Sequence, residues 1–168
     1  MKTNSRRISI IVIFAALYVV GVIFLAPISY SFFQVRLADA LLPLSMIFGV
    51  PSAIGLSLGC IVANVYGSLG LVDIIGGSIA NFVACTLAWY VARKSGFGRR
   101  FIGSVIQTIV ITLIVGGYLW IIFEVPIEFS LAGVFVGSLI AINILGFAIQ
   151  EALRRNRAIS DIENKQLF

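Results

Sequence analysis

The 168-residue chain has no histidine and only two cysteines. Histidine is the commonest metal ligand and the usual acid–base group near neutral pH. Its absence excludes His-based metalloproteases, serine–histidine hydrolases and histidine-ligated haem. Cys60 and Cys85 both lie in apolar stretches. They read as small buried hydrophobes, and two thiols alone make a poor zinc site. There is no G-x-x-x-x-G-K-[ST] phosphate loop, so ATP hydrolysis by that route is excluded. No arginine ladder marks a voltage sensor, no nucleophile has a plausible base, and no metal-ligand cluster is visible. The sequence therefore predicts no catalytic residues, no metal and no cofactor: the chain reads as something other than an enzyme. Charge is also scarce. Only 11% of residues are charged, against roughly 25% in an average soluble domain.

What the chain has instead is apolar surface. Hydrophobic residues make up 60% of it, more than a soluble domain of this size can cover. That excludes a soluble globular protein, a disordered chain and a nucleic-acid-binding module. A transmembrane helix needs about 20 apolar residues, so the length allows six or seven spans at most. The apolar runs predict an all-α membrane protein, a single compact bundle of six helices. The spans are expected at about 8–26, 35–49, 51–66, 71–92, 101–123 and 129–153, with a charged tail over 154–168. The first run resembles a signal peptide, but it is longer than the usual h-region and Pro27 stands where cleavage would fall, so it reads as a retained helix. Spans two and three are short, and Pro51 forces the break between them.

Basic residues favour the cytoplasmic side of a membrane. Six spans put Lys2, Arg6 and Arg7, then Arg93, Lys94, Arg99 and Arg100, then Arg154, Arg155, Arg157 and Lys165 on one side. That is 11 of the 12 basic residues; five or seven spans would split them. Both termini are therefore expected to be cytoplasmic, with anionic lipid rather than nucleic acid as the partner of the net charge of +5. Arg36 and four of the seven acids, Asp39, Asp73, Glu124 and Glu128, fall at or near the outer side. Trp120 lies near the outer end of span five, and Trp89 and Tyr90 near the inner end of span four, as interfacial aromatics do.

Ionisable residues inside spans are costly and mark functional candidates. Arg36 and Asp39 are three apart and would share a helical face. Two readings stand: an ion pair pinning the outer end of span two, or the polar wall of a substrate pocket. Asn64 lies near the outer end of span three. Asp73, Gly77 and Asn81 are spaced four apart, giving two polar groups and a gap on one stripe where a flat ligand could approach the backbone. Asp73 could equally cap its helix. Asn143, midway along span six, serves interhelical hydrogen bonding or ligand contact. Glu124 and Glu128 read as solvated turn residues. Gly55-x-x-x-Gly59 and Gly133-x-x-x-Gly137 allow close helix approach, and Ala15 and Ala16 give span one a shallow face. Six short helices are too few for the usual larger secondary transporter with inverted repeats. The pattern suggests a membrane-embedded binding protein whose uptake energy comes from a partner.

Three segments carry a family resemblance. Phe33-Gln34-Val35-Arg36-Leu37-Ala38-Asp39-Ala40-Leu41 resembles the Q-[VF]-R-[IL]-x-E-A-L segment of the queuosine-precursor transporter (QueT-type) family. Gly55 to Asn64 resembles its G-L-x-[LI]-G-C-x-x-A-N segment, and Leu71 to Ser78 its L-x-D-x-[VI]-x-G-[ST] segment. Ala15-Ala16-Leu17-Tyr18-Val19-Val20 is similar to the family's first helix. The resemblance covers roughly residues 8 to 92, with Asp39 where glutamate is usual.

The resemblance implies a substrate-binding S component of an energy-coupling factor (ECF) importer in a prokaryotic plasma membrane. It would capture a 7-deazaguanine-type precursor or queuine at the outer face. Its partners would be a membrane scaffold and two cytoplasmic ATPases, with Ala15 and Ala16 as candidates for the scaffold contact. Gln34, Arg36, Asp39, Asn64, Asp73, Gly77, Asn81 and Asn143 are the candidate substrate-binding residues. A carboxylate can accept the adjacent N–H donors of a guanine-like edge, and asparagine or glutamine can read its carbonyl and ring nitrogen. Phe32, Phe33 or Trp120 could stack on the ring, and Arg36 would orient Asp39. Alternatives are an S component for another small vitamin-like compound, or a non-transport membrane assembly protein.

Overall fold

The computed structural model describes residues 2–25, 36–93, 96–156 and 159, with side chains from Asn4 onward. Among these residues there are only helices and the turns that join them. Helix α1 spans Lys2–Phe24. Helix α2 spans Leu37–Phe48, and it is a 3₁₀ helix up to Leu44 with one α turn after it. Helix α3 is Val50–Gly67, α4 is Leu71–Ala92 and α5 is Phe97–Phe123. Helix α6 runs over Ile127–Arg154, with a wide π-type stretch at Leu139–Gly146. Five of these helices are long and apolar enough to cross a membrane, and α2 is a shorter apolar helix. The chain is a multi-pass helical membrane protein.

The second helix falls inside its expected bounds and is short, as its apolar run is. It has 12 residues instead of a full crossing length. At about 2.0 Å per 3₁₀ residue and 1.5 Å per α residue it reaches roughly 22 Å, short of a ~30 Å hydrocarbon core. Pro43 has no N–H to donate and interrupts an α ladder, which accounts for the 3₁₀ stretch around it. The carbonyl of Leu42 also accepts from Gln107 Nε2 of α5 at 2.9 Å. Helix α2 ends at Gly49, whose φ of +70° is a left-handed conformation that glycine reaches without penalty. Pro51 then sits in the first turn of α3, where its missing N–H is harmless. Helix α5 starts four residues earlier than predicted, so Arg99 and Arg100 belong to its first turn rather than to a loop.

Close glycine contacts set the direction of each helix. A Cβ on Gly55 would lie 2.5 Å from the Ile11 carbonyl, and one on Gly59 would lie 2.7 Å from the Ala15 carbonyl. Position rises with position, so α1 and α3 run parallel. Helix α2 returns between them: Ala38 packs against Gly21, and Phe48 stacks against Phe14 at 5.2 Å. Helices α3 and α4 are antiparallel, linked by Ser57 to the Ser78 carbonyl and by Asn64 to the Asp73 carbonyl. Helix α5 runs against both α4 and α6, as Gly103 on Ala88, Gly116 on Leu131 and the Arg100–Glu151 ion pair show. The start of α1, the turn between α4 and α5, and the end of α6 therefore lie at one end. Arg6, Arg7, Arg93, Arg99, Arg100, Arg154 and Arg155 make this the basic end.

Candidate functional site

The polar cluster forms where α1, α2, α3, α4 and α5 meet, in the half away from the basic end. Arg36 precedes α2 with an extended backbone (φ −77°, ψ 87°), so it is not on the helix that carries Asp39. Its guanidinium crosses to α4, and Nη2 lies 3.1 Å from both oxygens of Asp73. Nη1 points at the Cys60 sulfur, 3.8 Å away. Asp73 is fully buried in the first turn of α4, where the helix dipole also favours its charge. Tyr118 of α5 donates to Asp73 Oδ1 at 2.7 Å, and Asn64 of α3 donates to the Asp73 carbonyl at 2.7 Å. Asp39 lies on α2, and its Oδ1 accepts from the buried hydroxyl of Tyr18 at 2.7 Å.

Two sequence expectations change here. Arg36 pairs with Asp73 instead of Asp39, because the shared helical face assumed for the 36–39 spacing does not exist at Arg36. The gap expected at Gly77 is filled by protein: a Cβ there would lie 2.8 Å from Asn64 Nδ2, 3.2 Å from Cys60 Sγ and 3.5 Å from Arg36 Nη1. Gly77 makes room for the guanidinium. Tyr118 was not singled out from the sequence, since a tyrosine in a long apolar helix gives no signal of its partner. Tyr118→Phe removes a hydrogen bond to a charged group and should cost about 1.5–3 kcal/mol, read as a lower melting temperature of the detergent-purified protein.

Beside this cluster lies a cavity of about 10 Å³, lined by Arg36, Asp39, Asn81, Ile111, Val115, Val134 and Ser138. Two donors at its wall have no partner among the described residues: Arg36 Nε and Asn81 Nδ2. Both residues are buried, and a buried donor left unpaired costs about 1–3 kcal/mol. The cavity thus joins two unmet donors and one carboxylate to a wall of aliphatic side chains. It has room for about one water molecule, so a larger guest requires α5 and α6 side chains to move apart. Ile111, Val115, Val134 and Ser138 come from the half of the chain beyond the three segments that carry the family resemblance.

The remaining candidates are spread out. Asn64 holds the α4 backbone, and its Oδ1 has no partner among the described residues. Asn143 bonds to Thr108 and, at 3.2 Å, to Ser104. It ties α6 to α5 and is not part of this cavity's lining. Trp120 donates to the Gly117 carbonyl and is not among the residues that line the cavity. Gln34, Phe32 and Phe33 lie outside the described residues. Ala15 backs onto Gly59, while Ala16 faces outward. Among the described residues no group of three or more His, Cys, Asp or Glu side chains is placed to hold a metal ion.

No curated protein and no solved structure matched the chain. Residues 8–155 match the QueT transporter family. That match spans nearly the whole helical bundle, the cavity walls on α5 and α6 included, and the chain belongs to the QueT transporter family.

Proposed function

We propose that the chain is the substrate-capturing S component of an ECF-type importer, binding a queuosine precursor of the 7-deazaguanine type. The observation that carries this reading is the cavity wall itself. Arg36 Nε and Asn81 Nδ2 offer two unmet donors, and the Asp39 carboxylate offers acceptors. A deazaguanine has the matching edges: a carbonyl and ring nitrogen that accept, and adjacent N–H groups that donate. Asp73 is already held by Arg36 and Tyr118, so it acts through Arg36 and not on the ligand. Arg36 contacts the ligand through Nε in this reading.

The basic end is cytoplasmic on this account, following the preference of Lys and Arg for that side. The cavity then belongs to the outer half, where a captured substrate arrives. The ATP-driven step falls to a membrane scaffold and two cytoplasmic ATPases. Helix α1 supplies an outward apolar face for the scaffold, with Val12, Ile13, Leu17 and Val20 exposed around Ala16. Its opposite face carries Tyr18 to Asp39. Tyr18→Phe frees the Asp39 carboxylate from its orienting donor and should weaken ligand binding about 10-fold, the loss of one net hydrogen bond to a charged group, measured by calorimetry.

The test is calorimetric binding of the purified protein to queuine, its aminomethyl and cyano deazaguanine precursors, guanine, riboflavin and biotin. Tight binding confined to a deazaguanine, lost in Asp39→Asn, is the result expected. Binding of a non-purine vitamin alone would move the chain to a different substrate. No binding to any deazaguanine from a folded protein would remove the substrate assignment.

A further inference from the structure

Two neighbouring glycines on α4 receive two side chains that converge on Asp73. A Cβ on Gly77 would lie 3.5 Å from Arg36 Nη1, and one on Gly76 would lie 2.7 Å from Tyr118 Cε1. The guanidinium and the phenol ring therefore rest close against the α4 backbone. They are held differently. Arg36 is buried and reaches both oxygens of Asp73. Tyr118 is partly buried and is tied by its hydroxyl, which donates to Asp73 Oδ1 at 2.7 Å. Val115, three residues before Tyr118 on the same side of α5, lines the cavity. Helix α5 runs away from the basic end, so Tyr118 lies one turn beyond Val115, on the cavity's far side from that end.

The cavity offers polar groups for the edge of a flat ligand and only aliphatic groups for its faces. Arg36 Nε, Asn81 Nδ2 and the Asp39 carboxylate bond in the plane of a ring, while Ile111, Val115 and Val134 are aliphatic. With room for about one water molecule, the cavity admits a heterocycle only if a neighbouring side chain moves. Moving Arg36 would separate a buried ion pair. Moving Ile111 or Val115 would open the packed core. Moving Tyr118 gives up one hydrogen bond and contact with a glycine. The other tyrosine of this network, Tyr18, is fully buried and donates to Asp39.

We propose that Tyr118 is the aromatic contact of the ligand site: as a flat heterocycle enters, the ring leaves the Gly76 surface of α4, gives up its hydrogen bond to Asp73 and stacks on the ligand that Arg36, Asp39 and Asn81 hold by its edge. This rests on the ligand-binding reading above. It makes Tyr118 a specificity residue, favouring planar heteroaromatic rings over saturated ones such as biotin's.

The test is calorimetric titration of detergent-purified wild type, Tyr118→Phe, Tyr118→Leu and Gly76→Ala with the aminomethyl and cyano deazaguanines and with riboflavin. Both Tyr118 variants lose the bond to Asp73, and only Tyr118→Leu loses the ring. Tyr118→Phe has no such bond to give up and should bind about 10-fold more tightly than wild type. Tyr118→Leu should bind at least about 10-fold more weakly than Tyr118→Phe. A purely structural role would weaken both variants alike. Equal Kd values for the two, or weaker binding by Tyr118→Phe than by wild type, would overturn the proposal. Gly76→Ala keeps the ring but crowds it off α4, and it carries the test if Tyr118→Leu does not fold. It should bind more tightly than wild type, and weaker binding would overturn the proposal. The same order of affinities with riboflavin alone would keep Tyr118 as the stacking residue and reject the deazaguanine assignment. A folded wild type that binds none of these rings would reject both.

Discussion

Arg36→Ala should destabilise the protein by about 3–5 kcal/mol and abolish ligand binding. Removing one partner of a buried ion pair leaves the other charge uncompensated, and that loss is larger than the pair's own net worth. Asp73 is fully buried and bonded to Arg36 through both oxygens. Tyr118 and the α4 N-terminus remain, but they supply dipoles, not a counter-charge. The double variant Arg36→Ala/Asp73→Asn removes both charges and should recover most of the lost stability. It should not recover binding, because the donor at Arg36 Nε is still missing. Thermal unfolding in detergent and calorimetry, run on the same samples, separate the two effects. A single variant that melts with the wild type would show that the ion pair does not hold α2 to α4.

The second large effect is expected at Gly59. A Cβ there would lie 2.7 Å from the Ala15 carbonyl and 2.9 Å from Tyr18 Cβ. Backbone cannot yield to that contact as a flexible side chain can. Gly59→Val should push α1 off α3 and cost about 1–3 kcal/mol by overpacking. It should also weaken ligand binding, since the displaced helix carries Tyr18 away from Asp39. Gly117→Ala is the matched comparison: no atom lies within 4 Å of the added Cβ. A helix-interior alanine there should gain roughly 0.5–1 kcal/mol. Equal melting temperatures for the two variants would contradict the close α1–α3 contact.

Much of this was readable from the chain because membrane burial writes itself into composition. Each apolar run falls on one of the helices α1 to α6, although α1 begins six residues before its run and α5 four, and Gly55 and Gly59 announced a close helix contact. Asp73, Asn81, Arg36 and Asp39 stood out because charge and amide groups are rare in apolar helices. Their pairing was not readable. Three residues of separation suggested that Arg36 and Asp39 meet, but the helix begins only after Arg36, and local spacing carries no information about a partner 37 residues away. The cavity wall on α5 and α6 was invisible for a related reason. Ile111, Val115 and Val134 are ordinary apolar residues, and only tertiary packing turns their faces to Asn81. Gly77 misled in the opposite direction, since a missing side chain reads as open space when a distant guanidinium fills it.

Asn81 offers the most direct test that this cavity is the ligand site. Its amide nitrogen is buried, lines the cavity and has no hydrogen-bond partner within normal distance among the described residues. Calorimetric titration of Asn81→Ala with the aminomethyl and cyano deazaguanines, paired with thermal unfolding, separates ligand contact from structure. The account predicts a protein that still unfolds cooperatively and a Kd raised about 10- to 100-fold, the worth of one buried hydrogen bond and its unmet partner on the ligand. A variant that binds a deazaguanine with wild-type affinity would contradict it and place the substrate elsewhere in the bundle.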